Sequence, residues 1–194
     1  MRIILASSSP YRRSMLERLQ LPFSTVSPNI DETAWPDESA HQTALRLSMQ
    51  KAQAVALRHP DDLIIGSDQV ASCNGIHIGK PGTIDKAREQ LRFLSGKTVT
   101  FHSGLCVHTA RQTLVDDITT LCRFRHLSDK EIDAYLARDT PFDTAGSAKA
   151  EGLGILLMES MQSDDPTAII GLPLIALGKM LRSTGINPLI QATP

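Results

Sequence analysis

The chain has 194 residues, 41% of them hydrophobic and 21% charged, with a net charge of −1. That length and apolar content suit one globular α/β domain whose core is mostly aliphatic, since aromatics make up only 4%. The near-neutral balance disfavours duplex nucleic acid as a partner, no apolar run is long enough for a signal segment or a bilayer crossing, and three dispersed cysteines fit a reducing cytoplasm.

Ile3-Ile4-Leu5 predicts a short strand that stops at Ala6-Ser7-Ser8-Ser9-Pro10. Tyr11-Arg12-Arg13 then opens a helix with Met15, Leu16 and Leu19 at helical spacing, ended by Leu21-Pro22. Such a junction presents free N–H groups and the positive end of the helix dipole, and the hydroxyls with Arg12 suit it to phosphate. The same residues also describe a capped helix with two solvated arginines. Phe23 to Val26 predicts a second strand, and Asn29 to about Asp37 a polar loop. Asp37 or Ser39 caps a long helix to about Arg58, its apolar face including Ala44, Leu45, Met49, Ala52 and Val55. Leu63-Ile64-Ile65-Gly66 reads as a doubly buried strand that terminates in Ser67-Asp68-Gln69.

Asn74-Gly75 signals a hairpin whose return strand ends at Gly79-Lys80-Pro81. A helix with Ala87, Leu91 and Leu94 inward closes at Ser95-Gly96. Strands are expected from Val99 to Thr109 and from Thr113 to Arg125, then a helix to about Arg138 with Ser128 and Glu131 as its capping box. Residues 143–154 form a glycine-bearing loop, Ile155 to Met161 an apolar strand, and Pro173 starts a final helix that stops near Gly185. No repeat or long linker is present, so the expected fold class is α/β, a single mixed-sheet domain over 1–194 in two lobes.

Asp68, at the carboxyl edge of a buried strand, suits a general base on water or a divalent-cation ligand; it is also an ordinary place for a turn aspartate. In the loop after the second strand, Glu32 would join Asp68 around a magnesium or manganese ion, although adjacent carboxylates such as Asp31-Glu32 often only face water. Lys51 borders the apolar stripe of its helix, where a snorkelling surface lysine is the commoner case. Lys80, between Gly79 and Pro81, has no propensity reason to sit there, and both lysines suit phosphate. The loop Ala145 to Gly152, with Lys149 and Glu151 among small residues, reads as a base-recognition loop or as a flexible surface loop. The chain has no P-loop, dinucleotide fingerprint, zinc-protease motif or nucleophile elbow, and its six histidines are dispersed.

In order and spacing, Leu5 to Arg13, Asp31-Glu32, Lys51-Ala52, Gly66-Ser67-Asp68-Gln69, Gly79-Lys80-Pro81 and the Ala145 to Gly152 loop resemble the Maf family of nucleoside triphosphate pyrophosphatases. The likeness covers nearly the whole chain. It implies a Maf/ITPase-like fold with a central cleft, and hydrolysis of a nucleoside triphosphate to the monophosphate and pyrophosphate with a divalent cation, Mg2+ or Mn2+. It also implies a cytoplasmic homodimer that keeps non-standard nucleotides out of nucleic acids. It assigns catalysis to Asp68, phosphate binding to Ser7, Arg12, Lys51 and Lys80, and the metal to Glu32 with Asp68.

The branch that hydrolyses thymidine and uridine triphosphates has a second Arg, a Thr and a Gln where this chain has Tyr11, Gln69 and Glu151. The resemblance is instead to the 7-methyl-GTP pyrophosphatase branch. N7-methylation puts a positive charge on guanine, which Tyr11 would stack against for roughly 0.5–2 kcal/mol. Glu151 would accept from the guanine N1–H and exocyclic amine. The alternatives are a non-catalytic nucleotide-sensing regulator of cell division and a pyrophosphatase for other non-standard triphosphates. Arg13 either touches ligand or faces solvent.

Overall fold

A computed structural model describes residues 1–190. The last four residues of the expected domain, 191–194, lie outside the described residues. The sheet has seven strands: β1 (Ile3–Leu5), β2 (Phe23–Thr25), β3 (Leu63–Cys73), β4 (Ile76–Ile78), β5 (Thr98–His108), β6 (Thr113–Phe124) and β7 (Met158–Ser163). Their order is β2-β1-β3-β5-β6-β7, with β4 paired to the far end of β3. The β2-β1-β3 pairings are parallel and the others antiparallel, so the sheet is mixed as expected. The helices are α1 (Pro10–Glu17), α2 (Ala40–Ala56), α3 (Ile84–Leu94), α4 (Asp129–Asp139) and α5 (Leu174–Ser183).

Local chemistry sets most boundaries. Ser9 caps α1 with Pro10 in its first turn, and Ser39–Gln42 and Ser128–Glu131 form capping boxes on α2 and α4. Asn74 and Gly75, with φ of 53° and 77°, form the tight turn between β3 and β4. Two expectations need correction. The apolar run at Ile155 does not start a strand: Leu153–Leu157 is a 3-10 turn, packed so closely that a β-carbon at Gly154 would stand 2.5 Å from the Lys149 backbone. β7 therefore begins at Met158. Pro173 lies just outside α5 and offers no side-chain cap; the buried Asp165 accepts the Ile175 N–H at 2.6 Å instead.

Alternation along the strands separates the apolar core into groups. Ile3, Leu5, Ile65, Leu105 and Val107 pack against α1 and α5. Ile4, Ala6, Ile64 and Cys106 point the other way, beneath α2. Ala71, Cys73, Val99 and Phe101 form a third group with α3 and α4 at the far end of the sheet. Between the groups, residues 66–70 of β3 carry the polar Ser67, Asp68 and Gln69.

α2 crosses the sheet unusually closely. A β-carbon added at Gly66 would overlap the Ser48 carbonyl oxygen, and one added at Gly104 the Ala44 carbonyl oxygen. The face that α2 buries is thus centred on Ala44, Ser48 and Ala52, while Leu45 and Met49 are only half-buried.

Arg46 on α2 holds the preceding loop. It donates to both oxygens of Glu38 at 2.6 and 2.7 Å and to the Thr33 carbonyl at 3.1 Å, and its guanidinium lies 4.1 Å over the Trp35 ring. These bonds hold Glu38 at about 2. Arg2 lowers Asp62 to about 2, and the Ser128 amide and hydroxyl lower Glu131 to about 2. All three folded values lie below the unfolded ones, so the stability they add is complete above about pH 4.5 and is lost as pH falls toward 2. Urea unfolding at stepped pH is expected to show stability falling through that window, with a shallower fall in Glu38→Gln. An unchanged slope in that variant would remove Glu38 from the acid response.

Candidate active site

β1 pairs with β3 only through Leu63–Ile65. Beyond that point β3 runs on beside β5, with Asp68 opposite Gly104. Asp68 is therefore inside a long strand rather than at the strand end expected at Ser67-Asp68-Gln69. Its polar neighbours stay extended because they find carbonyl partners in a distant turn. Ser67 donates to Gly171 at 3.0 Å, and the Gln69 amide nitrogen approaches the Ala168 and Ile169 carbonyls at 2.9 and 3.1 Å. Where β1 has ended, the turn from Ser7 to Arg12 faces this part of β3 across a cleft of about 710 Å³.

The close approach at Gly66 and Gly104 brings Lys51 into the cleft from α2. Lys51 is 3% exposed, so it is not the snorkelling surface lysine that its helix position suggests. Its ammonium lies 2.6 Å from Asp68 Oδ1 and 2.9 Å from Glu32 Oε1. An Arg12 Nη stands 4.0 Å from the same Asp68 oxygen, and Arg12 Nε donates to the Gly171 carbonyl at 3.0 Å. Both cations thus meet Oδ1, while Asp68 Oδ2 has no protein hydrogen bond among the described residues.

The cleft brings together eight of the nine residues singled out from sequence: Ser7, Tyr11, Arg12, Glu32, Lys51, Asp68, Gln69 and Lys80. The ninth, Glu151, lines a side pocket that shares Tyr11, Arg12, Gln69 and Lys80 with the cleft. Arg13 points away and pairs with Glu17 on the exposed side of α1 at 3.0 Å. Gln69 spends its amide nitrogen on the 168–170 turn, so only its carbonyl oxygen is left for a ligand.

Asp143 was not singled out. It accepts from the Tyr11 hydroxyl at 3.2 Å and faces Lys149 at 3.7 Å, which anchors the hydroxyl end of the Tyr11 ring. Its link to the cleft is not legible locally, because Tyr11 lies 132 residues away in sequence.

Chemically, the cleft sets the carboxylates of Glu32, Asp68 and Asp143 against a hydroxyl-rich helix N-terminus and the cationic Arg12, Lys51 and Lys80. Oxygen donors alone suit a hard divalent cation. Glu32 and Asp68 fit that requirement, since one ammonium already lies within 2.9 Å of both.

The sequence pattern of the family described as Maf-like protein matches residues 2–184. The chain belongs to the Maf family. This Maf chain is 60% identical over 188 residues to the 7-methyl-GTP pyrophosphatase of Bordetella pertussis, covering 97% of this chain and 94% of that one. It is 59% identical over 186 residues to the 7-methyl-GTP pyrophosphatase of Cupriavidus pinatubonensis, covering 95% and 94%. Among solved structures, the Staphylococcus aureus Ham1 protein aligns with a TM-score of 0.46 at 13% identity, over 64% of this Maf chain and 72% of that one. No helix among the described residues is long and apolar enough to cross a membrane.

Proposed function

We propose that this Maf chain is a pyrophosphatase that hydrolyses 7-methyl-GTP to 7-methyl-GMP and pyrophosphate, and so removes a modified nucleotide before it can be incorporated. The observation that carries this reading is one cleft lined by Ser7, Arg12, Lys51 and Lys80 together with the Glu32–Asp68 pair, which Lys51 bridges. The names of relatives at about 60% identity support the choice of substrate.

The triphosphate lies along the Ser7–Arg12 turn, where Arg12 is pre-positioned by the Gly171 carbonyl. Lys80, which lines the same cleft, supplies a further positive charge. Glu32 and Asp68 would hold a divalent cation, which would supply positive charge against the phosphate oxygens. Asp68 Oδ2, which has no protein hydrogen bond among the described residues, accepts a proton from water. The hydroxide oxygen bonds to the α-phosphorus, the bond from that phosphorus to the bridging oxygen breaks, and pyrophosphate leaves with that oxygen. Lysine and arginine offset the charge that develops on the leaving group.

At the base end, Tyr11 stacks on the methylated ring and Glu151 accepts from its Watson–Crick edge. A panel of 7-methyl-GTP, GTP, ITP, XTP, TTP and UTP, scored for pyrophosphate release with Mg2+, tests the reading. The highest kcat/KM is expected for 7-methyl-GTP, and a preference for UTP, TTP or ITP overturns the substrate assignment. Glu151→Gln weakens a charge-assisted hydrogen bond, so the 7-methyl-GTP to UTP ratio is expected to fall about tenfold, the equivalent of about 1.4 kcal/mol. An unaltered ratio would exclude that contact.

A further inference from the structure

The histidines that are dispersed in sequence are not all dispersed in space. Asp117 on β6 pairs with Gly104 on β5, which pairs in turn with Asp68 on β3. Asp117 therefore lies two strands from Asp68, about 10 Å away, on the side of the sheet that α2 covers. His102 sits two residues from Gly104 on that same face, and His41 comes down from the first turn of α2. The Nδ1 atoms of His41 and His102 lie 2.7 and 2.6 Å from one oxygen, Asp117 Oδ2. The ring centroids are 5.7 Å apart.

The Asp117 side chain is only 5% exposed, and its other oxygen, Oδ1, is buried with no hydrogen-bond partner among the described residues. A purely hydrogen-bonded cluster explains this poorly. It crowds two donors onto one oxygen and strands the other, which then bears the desolvation cost of a buried acceptor left unpaired. A cation on the carboxylate would offset the charge shared by both oxygens.

We propose that His41, His102 and Asp117 form a second metal site, distinct from the Glu32–Asp68 pair, for a d-block divalent cation such as Zn2+. Two imidazoles and one carboxylate select such an ion over Mg2+ or Ca2+, whereas the all-oxygen pair selects the reverse. Tetrahedral ligands at about 2.0–2.1 Å from zinc stand about 3.3 Å apart, so the site opens by about 0.6 Å on binding. His41, with its side chain 52% exposed, has room for that movement and leaves the fourth position to water. The cysteines do not compete: all three are buried, and burial pushes Cys106 and Cys122 up to about 12. Because His41 is on α2 and the other two ligands are on the sheet, the ion ties down the helix that carries Lys51.

Co2+ titration of the purified chain in excess Mg2+ tests the site through the visible d–d absorption of tetrahedral cobalt. One Co2+ per chain is expected, displaced by Zn2+, with the thermal midpoint raised by Zn2+. Asp117→Asn and His41→Ala should each weaken Co2+ binding at least tenfold and abolish the midpoint rise, while Asp68→Asn keeps both. His41, being half exposed, can be replaced without threatening the fold, so it decides the matter where Asp117→Asn does not fold. The absence of a tetrahedral spectrum overturns the proposal. So does a spectrum that survives His41→Ala at full affinity, or one that disappears in Asp68→Asn.

Discussion

Asp68→Asn is expected to lower the turnover of 7-methyl-GTP by about 10²–10⁴-fold, the usual worth of a positioned proton acceptor, while the protein stays folded. The amide matches the carboxylate in shape, Lys51 keeps its 2.9 Å contact with Glu32, and Arg12 keeps the Gly171 carbonyl. What disappears is the unpartnered Oδ2 as a proton acceptor and the second negative charge at the point where the carboxylates converge. Lys51→Met should behave differently. It takes the closest counter-charge from a buried aspartate whose remaining cation is 4.0 Å away, and breaking such a pair costs about 3–5 kcal/mol. Urea unfolding combined with pyrophosphate release separates the two cases. Near-normal turnover in Asp68→Asn, or unchanged stability in Lys51→Met, contradicts the arrangement.

Gly66→Ala should be among the most damaging single-methyl changes in the chain. The added carbon would overlap the Ser48 carbonyl oxygen and stand 2.9 Å from the Ala52 nitrogen, both backbone atoms of a helix that has no slack against the sheet. Side-chain rotation cannot relieve such a clash, so α2 must shift, at a cost of about 3 kcal/mol, the upper end of ordinary overpacking. Lys51 moves with the helix, and a displacement of about 1 Å at the cleft is enough to cost on the order of 10² in turnover. Gly79→Ala is the control for stability, because nothing lies within 4 Å of a β-carbon there. Denaturant midpoints and turnover per folded molecule measure both effects. A Gly66→Ala protein with ordinary stability and activity would mean that α2 does not depend on this close approach.

The features that sequence exposes well are the ones that local chemistry determines. Ser9-Pro10, Ser39, Asn74-Gly75 and Ser128–Glu131 act within a few residues, and each marks the expected boundary. The cleft residues were legible because they stand as short blocks in a family order, even though no block was decisive by itself.

What sequence hid depends on contacts across the chain. Ser67, Asp68 and Gln69 read as the end of a strand because polarity interrupts the apolar run. They remain in β3 because carbonyls about a hundred residues later accept from Ser67 and Gln69. Lys51 reads as a surface residue until two glycines on separate strands let its helix descend. Asp143 and Asp117 carry no local signal, since the partners that give each its setting lie on other elements.

Attack of water on the innermost phosphorus beside Asp68 is tested directly by one isotope measurement. With 7-methyl-GTP hydrolysed in 18O-labelled water and the products analysed by mass spectrometry, the label should appear in 7-methyl-GMP and not in pyrophosphate. Label in the pyrophosphate instead would mean attack at the β-phosphorus and would contradict the arrangement of the triphosphate along the Ser7–Arg12 turn.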